Sequence, residues 1–315
     1  MKRKTFKWVA YFACTGLVIG GVVFYFLIPK LMVEIRNPTT HVSKESRELQ
    51  YELIGGKIPG KPIEFYSKDS LIQSAYLTYS LTDSTKGTVI LVHGIRGRKE
   101  HFIGLSKSLA GNGYNSVLVD LRAHGQSDGR YCTFGVKEKW DIKALVDELK
   151  ELDESGKEKI GVIGIWGQSL GGAVALQALS IDQRIKYGII ESTFSDFESI
   201  AHDYLNYFMW YSFKQMSKYI VYRAGKIANF SPESASPINA CNQIYQPVFM
   251  AHGDNDKKIN IKYGKANFKA LKAKNKKFVT VPGASHISVW QKGGEDYFRE
   301  VFRFIDTVNE FKTLN

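Results

Sequence analysis

Cysteine is scarce in this sequence, and internal repeats and low-complexity segments are absent from it. Three cysteines in 315 residues are too few for a small fold held together by disulfides. Hydrophobic side chains account for 44% of the residues and charged side chains for 23%, a composition that excludes an intrinsically disordered or collagen-like protein. The chain is therefore long enough to bury the core of one large α/β domain or of two small ones.

Acidic residues are also in short supply. The chain has 31 Asp and Glu against 43 Lys and Arg, which gives a net charge of +12. A surplus of this size suggests nucleic acid or an anionic membrane as a partner. Many of the lysines fall within residues 257–277, where a basic helix face is expected to be solvated, and no nucleic-acid-binding motif accompanies them. We therefore expect no nucleic-acid partner, while orientation toward an anionic membrane surface stays open.

An uncharged run near the N-terminus predicts a membrane anchor. Residues 8–28 are 21 in number and would extend about 31 Å as a helix, close to the hydrocarbon thickness of a bilayer. A cleaved signal peptide would need small residues at the end of this run, where bulky ones stand instead. A lipoprotein would need small residues directly before Cys14, where Tyr11 and Phe12 lie close by. We therefore predict that residues 1–30 form one uncleaved transmembrane helix.

The charges that flank this run predict its orientation. Basic residues favour the cytoplasmic side of a membrane, so we expect a cytoplasmic N-terminus and the rest of the chain outside the cytoplasm. In such a compartment Cys132 and Cys241 could pair, although two separate free thiols are the expectation. The cations that precede the run are Lys2, Arg3, Lys4 and Lys7.

The remainder predicts a doubly wound α/β domain with a mostly parallel sheet. Residues 31–60 are polar and indicate a linker or an edge strand, and residues 61–315 form the domain. Short apolar runs then alternate with helical patterns, as expected for strands buried on both faces. Residues 63–80 predict a hairpin that leads into the sheet. The predicted strands are residues 88–92, 116–120, 160–166, 185–190, 247–251 and 277–281.

An insertion at about residues 194–246 predicts a small helical cap. It contains six aromatic residues within ten positions, and two interpretations stay open. The rings form an apolar lid that binds an acyl chain, or they form the core of the cap itself. The six are Tyr204, Tyr207, Phe208, Trp210, Tyr211 and Phe213.

The sharpest local signal is the sequence GQSLGG at residues 167–172. It directly follows a predicted strand and directly precedes a helical pattern. A serine in such a tight turn has strained backbone angles, and the neighbouring glycines relieve the clashes. The turn presents the hydroxyl of Ser169 above the sheet and places the amide of Leu170 at a helix N-terminus, where an oxyanion could develop. We therefore predict that Ser169 is a nucleophile.

A serine nucleophile needs a general base, and His286 is the best candidate among seven histidines. It follows the last predicted strand, in the loop PGASH at residues 282–286. In a parallel sheet this loop opens at the same edge as Ser169. We therefore predict that His286 takes the proton of Ser169.

The base in turn needs a carboxylate to orient it. The strand at residues 247–251 runs into HGDND at residues 252–256, which offers Asp254 and Asp256. We expect Asp254 to shape the turn and Asp256 to be the acid, in the chain order serine, aspartate, histidine. Glu191 and Asp196 are alternative acids.

These motifs together resemble α/β-hydrolases of the esterase/lipase and serine-aminopeptidase-like group, from about residue 60 to the end. The matching segments are HG at 93–94, DLRAHGQS at 120–127, the elbow at 167–171, HGxxD at 252–256 and PGxxH at 282–286. The resemblance implies that the acid is Asp256 and that the backbone amides of Ile95 and Leu170 form an oxyanion hole. Ala123 departs from the glycine that such families often carry. Four further polar residues are expected to brace loops: His93, Asp120, Arg122 and His124.

The resemblance implies acyl transfer through a Ser-His-Asp triad and an acyl-enzyme. A membrane-anchored hydrolase of carboxylic esters is the first expectation. A peptidase or amidase with the same triad is the second, although its cap would need acidic residues to hold a substrate amine. A non-catalytic binding protein on the same fold is the third. Neither a cofactor nor a metal is expected, and the partners are a small ester or peptide substrate and the membrane.

Overall fold

A computed structural model describes residues 2–35, 41–209 and 214–313. Eight strands form one sheet. The strands are β1 (Gly60–Tyr66), β2 (Ile72–Thr78), β3 (Thr88–Val92), β4 (Asn115–Val119), β5 (Ile163–Gln168), β6 (Ile185–Glu191), β7 (Val248–Gly253) and β8 (Lys276–Val281), and their order across the sheet is β1-β2-β4-β3-β5-β6-β7-β8. In this sheet β2 pairs antiparallel with both β1 and β4, and the remaining neighbours pair parallel. The mostly parallel sheet predicted from the sequence is confirmed.

Helices cover both faces of this sheet. The α-helices of the described residues are α1 (Lys2–Val22), α2 (Ile28–Val33), α3 (Lys44–Gly55), α4 (Ile103–Gly111), α5 (Glu138–Glu154), α6 (Leu170–Ile181), α7 (Phe197–Met209), α8 (Lys214–Ala228), α9 (Pro237–Cys241), α10 (Ile261–Ala270) and α11 (Val289–Thr313). Alternate side chains of one strand point to opposite faces, so the sheet divides the interior into two cores. In β3, Ile90 and Val92 pack on the side of α5 and α6, whereas Val89 and Leu91 pack on the side of α4 and α11.

The N-terminal residues form one helical run. A π-helical segment, Val23–Leu27, joins α1 to α2. The run is long and apolar enough over residues Lys7–Val33 to cross a membrane, as judged from length and composition. Its last turn belongs to the folded domain, because Val33 is buried in the core beside α5 and α6.

The segment predicted as a linker or an edge strand, residues 31–60, differs from that prediction. It contains the end of α2, all of α3 and the start of β1. Ser43 caps the N-terminus of α3, because its hydroxyl accepts a hydrogen bond from the Ser46 amide at 3.2 Å. The helix buries Tyr51 and Ile54 against β2. The serine cap and the spacing of the apolar residues were readable in the sequence, but the polar residues between them obscured the pattern.

All three cysteines lie in the described part of the chain, and each is free. Cys132 and Cys241 are buried, and burial raises the pKa of the Cys241 thiol to about 12. The expectation of two separate thiols is therefore confirmed.

Candidate active site

The serine of the glycine-rich turn lies between β5 and α6 with a strained backbone. Ser169 has φ +57° and ψ −118°, a backbone conformation that residues other than glycine rarely adopt. The chain crosses itself closely here, because a Cβ atom on Gly171 would lie 1.9 Å from the Val92 carbonyl oxygen, and one on Gly167 would lie 2.2 Å from the Gly171 oxygen. Both glycines are therefore required by the close backbone approach that holds Ser169.

The structure brings Ser169, His286 and Asp256 into one chain of hydrogen bonds. The Nε2 atom of His286 lies 2.9 Å from the Ser169 Oγ atom, and its Nδ1 atom lies 2.8 Å from Oδ2 of Asp256. The three residues are separated by as many as 117 positions along the chain and meet where β5, β7 and β8 end. The side chains of all three residues are mostly buried, so their mutual contacts are partly shielded from water.

Asp256 is held as a carboxylate. Its Oδ1 atom accepts hydrogen bonds from the amides of Lys258 and Ile259, each at 2.9 Å. Burial acts to raise its pKa, but hydrogen bonds from His252 and His286 outweigh burial and hold the pKa of Asp256 well below its usual range. Asp254 has the other function expected of this turn, since its Oδ1 atom accepts from the Gly283 amide at 2.6 Å and ties the turn to the loop of His286.

The two alternative acids lie elsewhere. Asp196 accepts hydrogen bonds from the Ser199 amide and the Ser195 hydroxyl, both at 2.7 Å, at the start of α7. Glu191 is fully buried, and its carboxylate accepts from Trp290 at 2.7 Å and also from Tyr297. Burial raises the pKa of Glu191 to about 7, although these donors act to lower it.

The loop after β3 passes directly over Ser169. A Cβ atom built on Gly94 would lie 3.3 Å from Cβ of Ser169 and 3.8 Å from its Oγ atom. Ile95 is the next residue, and Leu170 is the first residue of α6. The backbones that carry both expected oxyanion donors therefore adjoin the serine.

A buried ion pair that the sequence analysis missed supports this loop. The Nζ atom of Lys99 lies 2.6 Å from Oδ2 of Asp120, and neither side chain is exposed to solvent. The same carboxylate accepts from the amides of Lys99 and Gln126 at 2.8 and 2.7 Å. Asp120 thus joins the loop after β3 to the loop after β4. The sequence contains no local signal for this pair, because its partners are distant in the chain and meet only through the parallel pairing of β3 and β4.

The other polar residues of these motifs also bond within the loops. Arg122 binds Asp141 through two hydrogen bonds of 2.6 Å and also contacts Asp69. His93 accepts from the Leu121 amide at 3.1 Å, and burial lowers the pKa of His93 to about 3, which leaves its ring neutral at pH 7. The Nδ1 atom of His124 lies 2.9 Å from the Arg122 carbonyl oxygen.

The aromatic cluster of the cap is described only in part. Tyr204 is half-buried, and burial together with the charge of Asp256 raises the pKa of its hydroxyl. Tyr207 is 62% exposed. The side chain of Phe208 and all of Trp210, Tyr211 and Phe213 lie outside the described residues.

In the described ranges, no group of three or more His, Cys, Asp or Glu side chains is arranged to hold a metal ion.

Comparison with known proteins supports the fold and the general class. A family model described as "alpha/beta hydrolase fold" matches residues 87–232. An esterase of Pyrococcus furiosus has a similar structure, with a TM-score of 0.66, 25% sequence identity, and coverage of 87% of this chain and 98% of that chain. This chain belongs to the α/β-hydrolase superfamily.

Curated relatives are distant in sequence. Protein bem46 of Schizosaccharomyces pombe is 25% identical over 77% of this chain and 75% of its own length. An α/β-hydrolase domain-containing protein of Arabidopsis thaliana, WAV2, is 28% identical, and the match spans 61% of this chain but 60% of that protein. The putative esterase YitV of Bacillus subtilis is 32% identical over 32% of this chain and 42% of its own length.

Proposed function

We propose that the protein is a membrane-anchored serine hydrolase that cleaves carboxylic esters. The observation that carries the proposal is the continuous hydrogen-bonded chain from Ser169 through His286 to Asp256. An imidazole between a hydroxyl and a buried carboxylate is the arrangement that serine hydrolases use to activate the hydroxyl. In this chain the hydroxyl belongs to Ser169, which lies on a strained turn next to the N-terminus of α6.

The proposed reaction has two acyl-transfer steps. Ser169 Oγ attacks the ester carbonyl carbon while His286 Nε2 takes the hydroxyl proton, and the amides of Ile95 and Leu170 bind the oxyanion. The intermediate collapses when His286 gives the proton to the leaving alkoxide, which departs as an alcohol and leaves an acyl-serine. Water then attacks the acyl-serine with His286 as base, and the carboxylic acid leaves as Ser169 regains its proton. In comparable sites, each oxyanion donor lowers the activation free energy by about 3–4 kcal/mol.

The acidic residues of the cap already have partners, and this favours an ester substrate over a peptide. Asp203 accepts a hydrogen bond from Tyr263 at 2.6 Å and lies 3.7 Å from Lys262. Glu198 lies 3.8 Å from Lys218. These carboxylates already have partners, and a peptidase that binds a free amine would need acidic groups directed at the substrate. Two of the similar proteins are named as esterases, which favours the same class.

The proposed anchor is the predicted segment 1–30, and its uncharged residues 8–28 are the part that crosses the membrane within the helical run. Its basic N-terminal residues place the N-terminus in the cytoplasm and the hydrolase domain on the other side of the membrane. A fractionation experiment tests this point, because a span resists extraction by alkaline carbonate whereas a cleaved or peripheral segment does not.

A fluorophosphonate probe tests the nucleophile. The full-length protein should be labelled, and Ser169→Ala should abolish the label and lower ester hydrolysis at least about 10³-fold. Ser180→Ala is a matched control, since Ser180 lies on the same helix, α6, and its hydroxyl bonds only to the Gln177 carbonyl at 2.8 Å in that helix. Labelling that persists in Ser169→Ala would exclude Ser169.

A substrate panel tests the class of bond. p-Nitrophenyl esters of increasing acyl length should be hydrolysed, and aminoacyl p-nitroanilides should be cleaved far more slowly by the same preparation. The opposite preference would replace the esterase proposal with the peptidase alternative.

A further inference from the structure

Helix α8 of the cap packs directly on the N-terminal helical run. The ring of Phe24 stacks on Tyr219 with centroids 5.9 Å apart and planes 7° from parallel. The Arg223 guanidinium lies 4.3 Å above the ring of Tyr25, within the range of a cation–π contact. Both contacts fall in the last part of the run that is proposed to cross the membrane.

The last turn of the run is fixed to the domain by further contacts. The Cys132 amide donates to the Val33 carbonyl oxygen at 2.8 Å, and the Arg130 guanidinium binds Glu34 at 2.7 Å. Val33 itself is buried in the domain core. The run therefore enters the domain as a packed helix, and Val221 and Ala224 of α8 belong to the same core as Val33.

The outer surface of α8 carries a basic and aromatic stripe. Four exposed residues recur at four-residue spacing along the helix, which places them on one face. The sequence of α8, KQMSKYIVYRAGKIA, contains no Asp or Glu. Lys218 lies 3.8 Å from the exposed Glu198, and the Lys226 ammonium lies 5.5 Å over the Tyr222 ring. The four residues, called the α8 stripe below, are Lys214, Lys218, Tyr222 and Lys226.

We propose that the α8 stripe rests on the anionic headgroups of the membrane that holds the anchor. The proposal rests on the anchoring stated above. If residues 8–28 fill the hydrocarbon layer, then Phe24 and Tyr25 lie within its last turns, and a helix packed on their rings lies at the level of the headgroups. Lysine and tyrosine are suited to that level, since the apolar part of each side chain meets acyl chains while the polar end meets phosphate.

The position of the stripe has a consequence for the hydrolase. Helix α7 joins α8 to α10, the helix that follows Asp256: its His202 is bonded to Ser217 of α8 at 2.7 Å, and its Asp203 accepts a hydrogen bond from Tyr263 of α10 at 2.6 Å. With the stripe on the headgroups, the cap therefore connects the bilayer surface to the segment that follows the acid of the triad. This arrangement favours esters carried by membrane lipids as the substrate class.

Site-specific labelling of the full chain in vesicles tests the proposal. In a Cys14→Ser background the two remaining cysteines are buried, so a bimane label reports only an added cysteine. The test position is Tyr222→Cys. The control is Leu81→Cys, which is 72% exposed and follows the end of β2 that pairs with the start of β4, at the sheet edge opposite Ser169. Vesicles contain phosphatidylcholine with or without equimolar phosphatidylglycerol, and a nitroxide on the lipid headgroup quenches the label.

The label at residue 222 should be quenched about three-fold more strongly than the label at residue 81. The quenching should be stronger with phosphatidylglycerol, and Lys214→Glu with Lys218→Glu and Lys226→Glu should remove that increase. Equal quenching at the two positions in carbonate-resistant protein would show that the α8 stripe faces water and would overturn this proposal alone. Protein that carbonate extracts would overturn the anchor together with the stripe.

Discussion

Glu191 is a carboxyl group placed where a charge is costly. It lies at the end of β6, its backbone carbonyl accepts from the Ser169 amide at 2.8 Å, and its side chain joins Trp290 to Tyr297. These two residues lie on either side of the break in α11 at Gly294, which has φ +54°. Glu191 therefore couples the strand beside the elbow to the helix that follows the His286 loop.

Glu191 should make stability depend on pH. Burial raises its pKa from the ordinary 4.5 to about 7, so its contribution is complete below pH 4.5 and is lost as the pH rises through 7. Between pH 5 and pH 8, wild type should lose roughly 2 to 3 kcal/mol of unfolding free energy more than Glu191→Gln. Urea unfolding of both proteins at the two pH values measures the difference, and identical pH dependence would contradict the assignment.

At the residue scale, the sequence predicts the site residues that lie within recognisable motifs, but it does not predict the partners of residues outside them. Motif order drew attention to Ser169, Asp256 and His286, and the structure places them within hydrogen-bond distance. The buried partners of Lys99 and Glu191 could not be foreseen. Both residues are charged, and charged residues are normally exposed unless tertiary structure brings a partner.

At the scale of elements, the elbow depends on the absence of a side chain at Gly171. Its neighbour across the turn is the carbonyl of Val92, the last residue of β3. The strand that carries the loop over the active site and the helix that follows Ser169 are therefore in backbone contact. The burial of β3 and β5 was readable from their apolar runs, whereas α3 was missed because its apolar residues are separated by charged ones.

Replacement of this glycine should be costly. Gly171→Ala should lower the free energy of unfolding by roughly 2 to 4 kcal/mol, because the new methyl group overlaps the Val92 carbonyl oxygen. Gly104→Ala is the control, since Gly104 lies in α4 with no atom within 4 Å of an added Cβ, and it should gain about 0.5 to 1 kcal/mol. Thermal unfolding distinguishes them, and equal stabilities would show that the elbow relaxes freely.

At the scale of the whole molecule, the N-terminal helical run belongs partly to the domain. The sequence predicts a transmembrane helix over residues 1–30, yet Pro29 and Val33 are buried in the fold. Hydropathy could not separate these roles, because the same apolar residues suit both lipid and a protein core. The succession of strands and helices along the chain after residue 87, in contrast, followed from the alternation of apolar runs and helical patterns.

Two truncations should therefore differ in stability. A chain that starts at Val23 retains Val33 and its hydrogen bond to Cys132, whereas a chain that starts at residue 36 loses both. Loss of the Val33 and Pro29 contacts should cost roughly 2 to 4 kcal/mol, or about 3 to 7 °C in the unfolding midpoint. Scanning calorimetry of the two proteins measures it, and equal midpoints would show that the last turn of the run is dispensable.

The helical run that leads from α1 into the core also fixes a rotational phase. Each residue turns an α-helix by about 100°, so the number of residues between Tyr25 and Val33 sets which face of the run meets α8. One inserted residue in α2 would rotate Phe24 and Tyr25 away from Tyr219, while an insertion of a full turn would return them to the same side, one turn farther away. A different N-terminal helix would therefore preserve the packing against the cap only if the number of residues between its contact with α8 and Val33 kept this rotational phase.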